Sequence, residues 1–225
     1  MRQKLFLATV SFLFVLSTMV NAQSVAPGWL LQTGTSTVQI IGDAAAADNN
    51  NAYFAWIVRD NTAFTVSVTL RWYPLVLTGR CNPSTGCGVS LPGNLVIDSM
   101  PLPSSGLYTW RVSIAADATS LHVIYPSADG TALKHVSIPL NGLYNTTVPL
   151  STETVPSSVL SGIGVNSIGI YNSVAVDPSG NLGLAFTSGS GQLVYATKSG
   201  GSWAAEVVVG ATSGAQAVSL AYDPS

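Results

Sequence analysis

The sequence predicts an all-β chain, a β-propeller built from four-stranded antiparallel blades and incomplete within these 225 residues. Three observations predict it. Only 8% of residues are charged and 21 are Gly, against ~25% charged in an ordinary soluble domain, so strand formers and turn formers dominate. The stretch "YNSVAVDPSG" at Tyr171 returns as "AVSLAYDPS", ending at Ser225. Between the two copies lie four short apolar strands separated by turn signals, the sequence form of a meander.

At the start of the chain, Arg2 and Lys4 precede an apolar run from Leu5 to Val20, and Val20 and Ala22 occupy the small-residue positions of a cleavage site. This pattern predicts a secretory signal peptide over 1–22, with the mature chain starting at Gln23. The run contains Thr9, Ser11, Ser17 and Thr18 and is short against the ~20 apolar residues of a bilayer span. The expected location is secreted, periplasmic or cell-surface, with no membrane contact after cleavage. The mature chain keeps six basic residues against ten acids, which excludes nucleic acid as an expected partner.

The repeats follow in 23–225. Asp48, Asp117, Asp177 and Asp223 recur at intervals of 69, 60 and 46 residues. Each is expected to close a first strand by accepting backbone N–H groups two residues on, a structural turn role. The third repeat, about 171–210, reads most clearly: "SVAV", the turn "DPSGN", "LGLAFT" with Leu182, Leu184 and Phe186 on one side, "QLVYATK", then "WAAEVVVG". The second, about 99–150, has "SIAADATSLHVIY", "ALKHV" and "NTTVPL" as its last strand. The first, about 36–98, has "AAAADNNNAYFAW" and "VTLRW". A further repeat starts at 217–225. A period in this range with four strands per unit is the signature of a propeller blade; the coils of a parallel β-helix are shorter.

"RCNPSTGCG" encloses five turn-forming residues between Cys81 and Cys87. In an exported chain the expected state is a disulfide pinning this insertion; two thiols without a nearby His make no metal site. "STVQIIG" at Ser36–Gly42 resembles "AAEVVVG" and is expected to be a last strand that completes a final blade, removing an open edge. With three full repeats and a fourth begun, the chain is expected to be the front part of a longer protein.

"VAVDPSGNLGLAF" and "GQLVYATKSGGSWAAEVVV" resemble the repeats of secreted bacterial β-propellers of the sialidase-like, BNR-type group. The resemblance is good over Ser173–Val209, fair over Ser113–Leu150 and weak before that. It implies the fold. The strict Asp-box of sialidases, their "RIP" motif and a defined arginine triad do not occur in the sequence.

Glycoside hydrolysis needs two carboxylates flanking one bond. Four of the ten acids recur at the turn position, while Glu153, Glu206, Asp98 and Asp129 read as scattered without partners. His122 and His135 fall in apolar strands and read as strand residues, and no G-x-S-x-G motif is present. No catalytic residue, cofactor or metal ligand is therefore assigned; "DPSGN" offers one carboxylate where calcium loops offer several. Trp56, Trp72, Tyr73, Trp110, Tyr125, Tyr144, Tyr171 and Trp203 read mainly as packing between blades, and Tyr73 and Tyr144, beside turn residues, as aromatic platforms for a sugar or peptide. "NTT" at Asn145 matches a glycosylation acceptor without meaning in a bacterial-type exported chain. Two function classes follow. The first is a secreted binding module for an extracellular carbohydrate or protein. The second is a glycan-cleaving, sialidase-like hydrolase whose catalytic residues lie outside these repeats.

Overall fold

The computed structural model describes residues 38–47, 51–74, 81–82, 86–87, 95–102, 111–140, 150–211 and 217–223. Residues 1–22, expected to be a signal peptide, and Asp48, Trp110, Tyr144 and Asn145 lie outside them. Val, Ile, Thr and aromatic residues alternate with small ones through this chain, and they form three four-stranded antiparallel sheets.

The first sheet contains β1 (Val38–Ala47), β2 (Asn51–Asp60) and β3 (Thr65–Pro74). A small ladder of β4 (Cys81–Asn82) and β5 (Gly86–Cys87) interrupts the meander before β6 (Leu95–Pro101) closes it in the order β1-β2-β3-β6. The second sheet is β7 (Ser113–Ala116), β8 (Ser120–Pro126), β9 (Leu133–Pro139) and β10 (Ser151–Thr154). After a five-residue helix, α1 (Ser157–Ser161), the third runs through β11 (Ile168–Val176), β12 (Leu182–Ser188), β13 (Leu193–Ser199) and β14 (Ser202–Val209). The second and third sheets are uninterrupted meanders.

Three expectations change. "STVQIIG" does not supply a separate last strand: Val38–Gly42 is the first half of β1 and pairs with β2 from Val38↔Asp60 onward, with an irregularity between Ile40 and Gly42. Its likeness to "AAEVVVG" reflects shared strand-forming residues. The last strand of the second sheet is Ser151–Thr154, not "NTTVPL"; Pro149 cannot donate to a ladder, whereas Glu153 sits directly opposite His135. Finally, β12 does not alternate in burial. All seven of its residues are buried, because both faces of the third sheet are covered along this strand.

Burial explains how the sheets stack. Residues on one face of the second sheet (Leu121, Val123, Tyr125, Val136, Ile138) share a core with Tyr53, Val68, Leu70 and Trp72 of the first. Ile124 and Leu133, on the other face, share a second core with Leu182, Leu184 and Phe186. The second sheet is thus packed between its neighbours, and a strand that is central in its sheet loses exposure on both faces.

The first strands mark the line along which the sheets meet. β7 lies against β1 and also against β11. Ser113 Oγ donates to Asn172 Oδ1 at 2.5 Å, and Asn172 Nδ2 donates to Arg111 O at 2.9 Å. Residues 217–223 form no strand but continue the series: the Leu220 amide donates to Ser173 Oγ on β11 at 3.0 Å. A Cβ built on Gly183 would clash with the Tyr222 hydroxyl, so glycine leaves this ring room against β12.

Each meander places its first and third connections at one end. In the second sheet that end holds the Asp117 turn and the β9–β10 connection, and Leu140 N donates to Thr119 O at 2.8 Å there. In the first it receives the β3–β6 connection, and in the third the Asp177 turn.

Candidate functional site

The turns that close the first strands are built by their aspartates. Asp117 Oδ1 accepts the amides of Thr119 (2.6 Å) and Ser120 (2.7 Å). Asp177 Oδ1 accepts those of Ser179 and Asn181, both at 2.8 Å, while its Oδ2 accepts Asn181 Nδ2 at 2.9 Å. Gly180, with φ +82°, supplies the left-handed residue that returns the hairpin. Asp223 is exposed.

Asp117 does more than hold its turn. Its second oxygen, Oδ2, meets His122 Nε2 at 2.9 Å. His122 Nδ1 meets His135 Nε2 at 3.0 Å, and His135 Nδ1 meets Glu153 Oε1 at 2.6 Å. Glu153 Oε1 also accepts Lys198 Nζ from the third sheet. Five ionisable groups, from the turn after β7 and from β8, β9, β10 and β13, thus form one unbroken line across the second sheet and into the third.

Local structure explains the line. His135 pairs with Ile124 on β8 and with Glu153 on β10, so one rung carries three neighbouring strands. His122 lies two residues before Ile124 and faces the same way, because strand side chains alternate. The imidazoles stack with centroids 5.2 Å apart and 27° between planes. Trp203 on β14 sets its edge against His135 at 6.1 Å, and Lys198 Nζ lies 6.0 Å from the Trp203 ring centre. His135 is 2% exposed and His122 8%.

Burial tries to push the Asp117 carboxyl up, but the bonds from His122 and the turn amides outweigh it and hold Asp117 below the usual carboxylate range. Burial pushes Glu153 up too, and bonds from Lys198 and His135 again bring it below. Burial pushes the His135 imidazole below its ordinary value, against the pull of Glu153.

These residues correct the sequence reading. His122 and His135 are strand residues, in β8 and β9, but joined to partners that the sequence did not show, and Glu153 is not without partners. Asp98 accepts Lys134 Nζ at 2.7 Å and Tyr125 Oη at 3.1 Å. Asp129 accepts Ser127 Oγ at 2.5 Å and Thr131 N at 3.0 Å; with these bonds its pKa falls to about 2. Trp203 packs against the second core, and Trp56, Trp72 and Tyr125 are buried.

Chemically, the line can hold and share protons. All four imidazole nitrogens are taken by protein groups, which leaves none to face a reacting atom. Among the described residues no group of three or more His, Cys, Asp or Glu is arranged to hold a metal ion, and no helix is long and apolar enough to cross a membrane. A hollow of about 130 Å³ lined by Thr131, Ser157, Ser161 and Asn166 is smaller than the ~300–1,000 Å³ of small-ligand sites. The chain matches no protein-family model and no curated protein sequence.

Proposed function

We propose that this chain is a secreted recognition module of the β-propeller type, in which stacked meanders are the blades and the connections at their aspartate-turn end present the binding surface. The observation that carries a binding role over a catalytic one is the occupation of every ring nitrogen of His122 and His135 by protein groups. A general base needs a free nitrogen within hydrogen-bond reach of its substrate. The acids are engaged in the same way, Asp117 and Asp177 in their own turns and Glu153 and Asp98 between sheets.

The radial arrangement is supported by the contact of β7 with both β1 and β11 and by the placing of residues 217–223 on β11. First strands lie together in this way around a propeller axis. The likeness of Ser173–Val209 to BNR-type repeats points the same way. Within the β3–β6 insertion, Cys81 stands directly opposite Cys87 in the β4–β5 ladder, and we take the two to be joined, pinning that connection for binding. An extracellular carbohydrate is the first ligand class to test: Tyr73 stands near the end of β3 where this connection begins, and Tyr144 falls in the sequence between β9 and β10.

The test uses the full chain as secreted. It is passed over cellulose, chitin and xylan and printed on a glycan array, beside a variant with residues 141–149 shortened to a Gly-Ser turn. Retention of the parent, lost in a variant that melts at the same temperature, is the expected result. Turnover of aryl sialosides or other aryl glycosides by the parent would instead support the hydrolase.

A further inference from the structure

Counting protons along the line across the second sheet gives its charge. Three contacts at 2.9, 3.0 and 2.6 Å link Asp117, His122, His135 and Glu153, and each needs one proton between its heavy atoms. Two neutral imidazoles bring only one N–H each. If both N–H groups donate outward to the carboxylates, two lone pairs face each other across 3.0 Å. Three contacts are satisfied only by three protons, so the histidine pair holds one more than its neutral form. We propose that this line is locked by a single proton shared within the His122–His135 pair, a pH-sensitive latch that ties β8 to β9 and holds Glu153 toward Lys198 of the third sheet.

The surrounding charges fit one extra proton and no more. Asp117 and Glu153 contribute two negative charges, and Lys198 with the protonated pair two positive ones. Trp203 on β14 brings a ring against His135. β11, which also packs on β8, carries Tyr171 as its one titratable residue. A second proton on the pair would place two imidazolium rings in contact and leave the central hydrogen bond without an acceptor. The shared proton lies on the 3.0 Å contact between His122 Nδ1 and His135 Nε2. Acid therefore opens the latch by adding a proton, and base opens it by removing the shared one.

The test is nuclear magnetic resonance on the full chain labelled with ¹⁵N-histidine. At neutral pH the pair should show three ring N–H protons, with the central one coupled to both His122 Nδ1 and His135 Nε2. Two ring protons in total, or no coupling between these nitrogens, would overturn the proposal. A second measurement uses Lys198→Met. Lys198 opposes charge on His135, so its removal should raise the pH at which the second proton enters the pair. An unchanged or lower value would contradict the latch even where the count of three holds.

Discussion

The joint between the first and second sheets and the joint between the second and third use the same positions for opposite chemistry. Strand register makes the positions comparable. One residue beyond the last rung before the first turn stand Tyr53, His122 and Gly183 in the three sheets. Two residues further, Ala55, Ile124 and Ala185 pair with Leu70, His135 and Tyr195 on the third strands. These in turn face Leu95, Glu153 and Glu206 on the fourth. The first sheet thus presents Tyr53, Leu70 and Leu95 to the second, and they enter a common apolar core. The second presents His122, His135 and Glu153 to the third. The third presents Gly183 and Tyr195 to residues 217–223, where Tyr195 Oη and Tyr222 Oη meet at 2.7 Å. One sheet-to-sheet contact is apolar packing at these positions, the next a proton line.

The joints also share a device. Near the outer strands an acid on the fourth strand reaches a lysine on the third strand of the next sheet, Asp98 to Lys134 in the first joint and Glu153 to Lys198 in the second. Glu206 holds the corresponding strand in the third sheet. The difference teaches that the same strand positions accept either chemistry beside an acid–lysine pair.

The largest effect should come from emptying the apolar joint. Leu70 is fully buried, and Leu70→Ala should lower unfolding free energy by about 2–5 kcal/mol, read from urea denaturation. In the polar joint the single change His135→Leu should cost less, about 1–3 kcal/mol, because it strands His122 Nδ1 and one lone pair of Glu153. Transplanting the first joint into the second, with His122→Tyr, His135→Leu and Glu153→Leu together, should return much of that loss, since a buried polar network exchanged for packed apolar residues is often neutral. A triple variant less stable than His135→Leu alone would show that the two joints are not interchangeable.

Much of this was legible in the sequence, and the limits are physical. The meander of the third sheet followed from turn residues at fixed offsets, and the turn aspartates from their recurrence at the end of a first strand. The proton line was not, because its members stand at 117, 122, 135, 153 and 198 and meet only through register and sheet stacking. A partial signal existed. His122 and His135 flank one hairpin turn in otherwise apolar strands, which puts them on neighbouring rungs of one face. Lys198 carried none, since its partner lies on another sheet. "STVQIIG" and "NTTVPL" misled because strand-forming composition does not say which strand a segment joins.

Smaller effects sharpen the comparison. Gly180→Ala forces a Cβ into φ +82° and should cost about 1 kcal/mol without touching either joint, so its loss should be the same across the histidine range. Reduction of the chain should change the joints least of all. Thiol titration of the denatured, unreduced protein should find no free thiol at Cys81 and Cys87, and reduction should leave the acid response of the second joint unaltered.

The most direct measurement is amide hydrogen exchange of the full chain from pH 5 to 8, expressed as protection factors. Asp117, Glu153 and His135 all lie below their ordinary values in the fold. The contribution of the two carboxyls is therefore present above those values and is lost as pH falls through them, whereas that of the shared proton is lost as pH rises and the pair gives it up. Opening the latch lets two histidines bind a proton each where the closed pair holds one, so its opening constant should rise about tenfold per pH unit below the ordinary histidine value. Protection in β9, β10 and β13 should fall accordingly, while β2 and β3 keep theirs. The apolar joint should weaken only in strong base, where Tyr125, raised by burial and by Asp98, no longer keeps pace with its unfolded form. Equal loss of protection in both joints, or none in either, would contradict a proton-locked second joint.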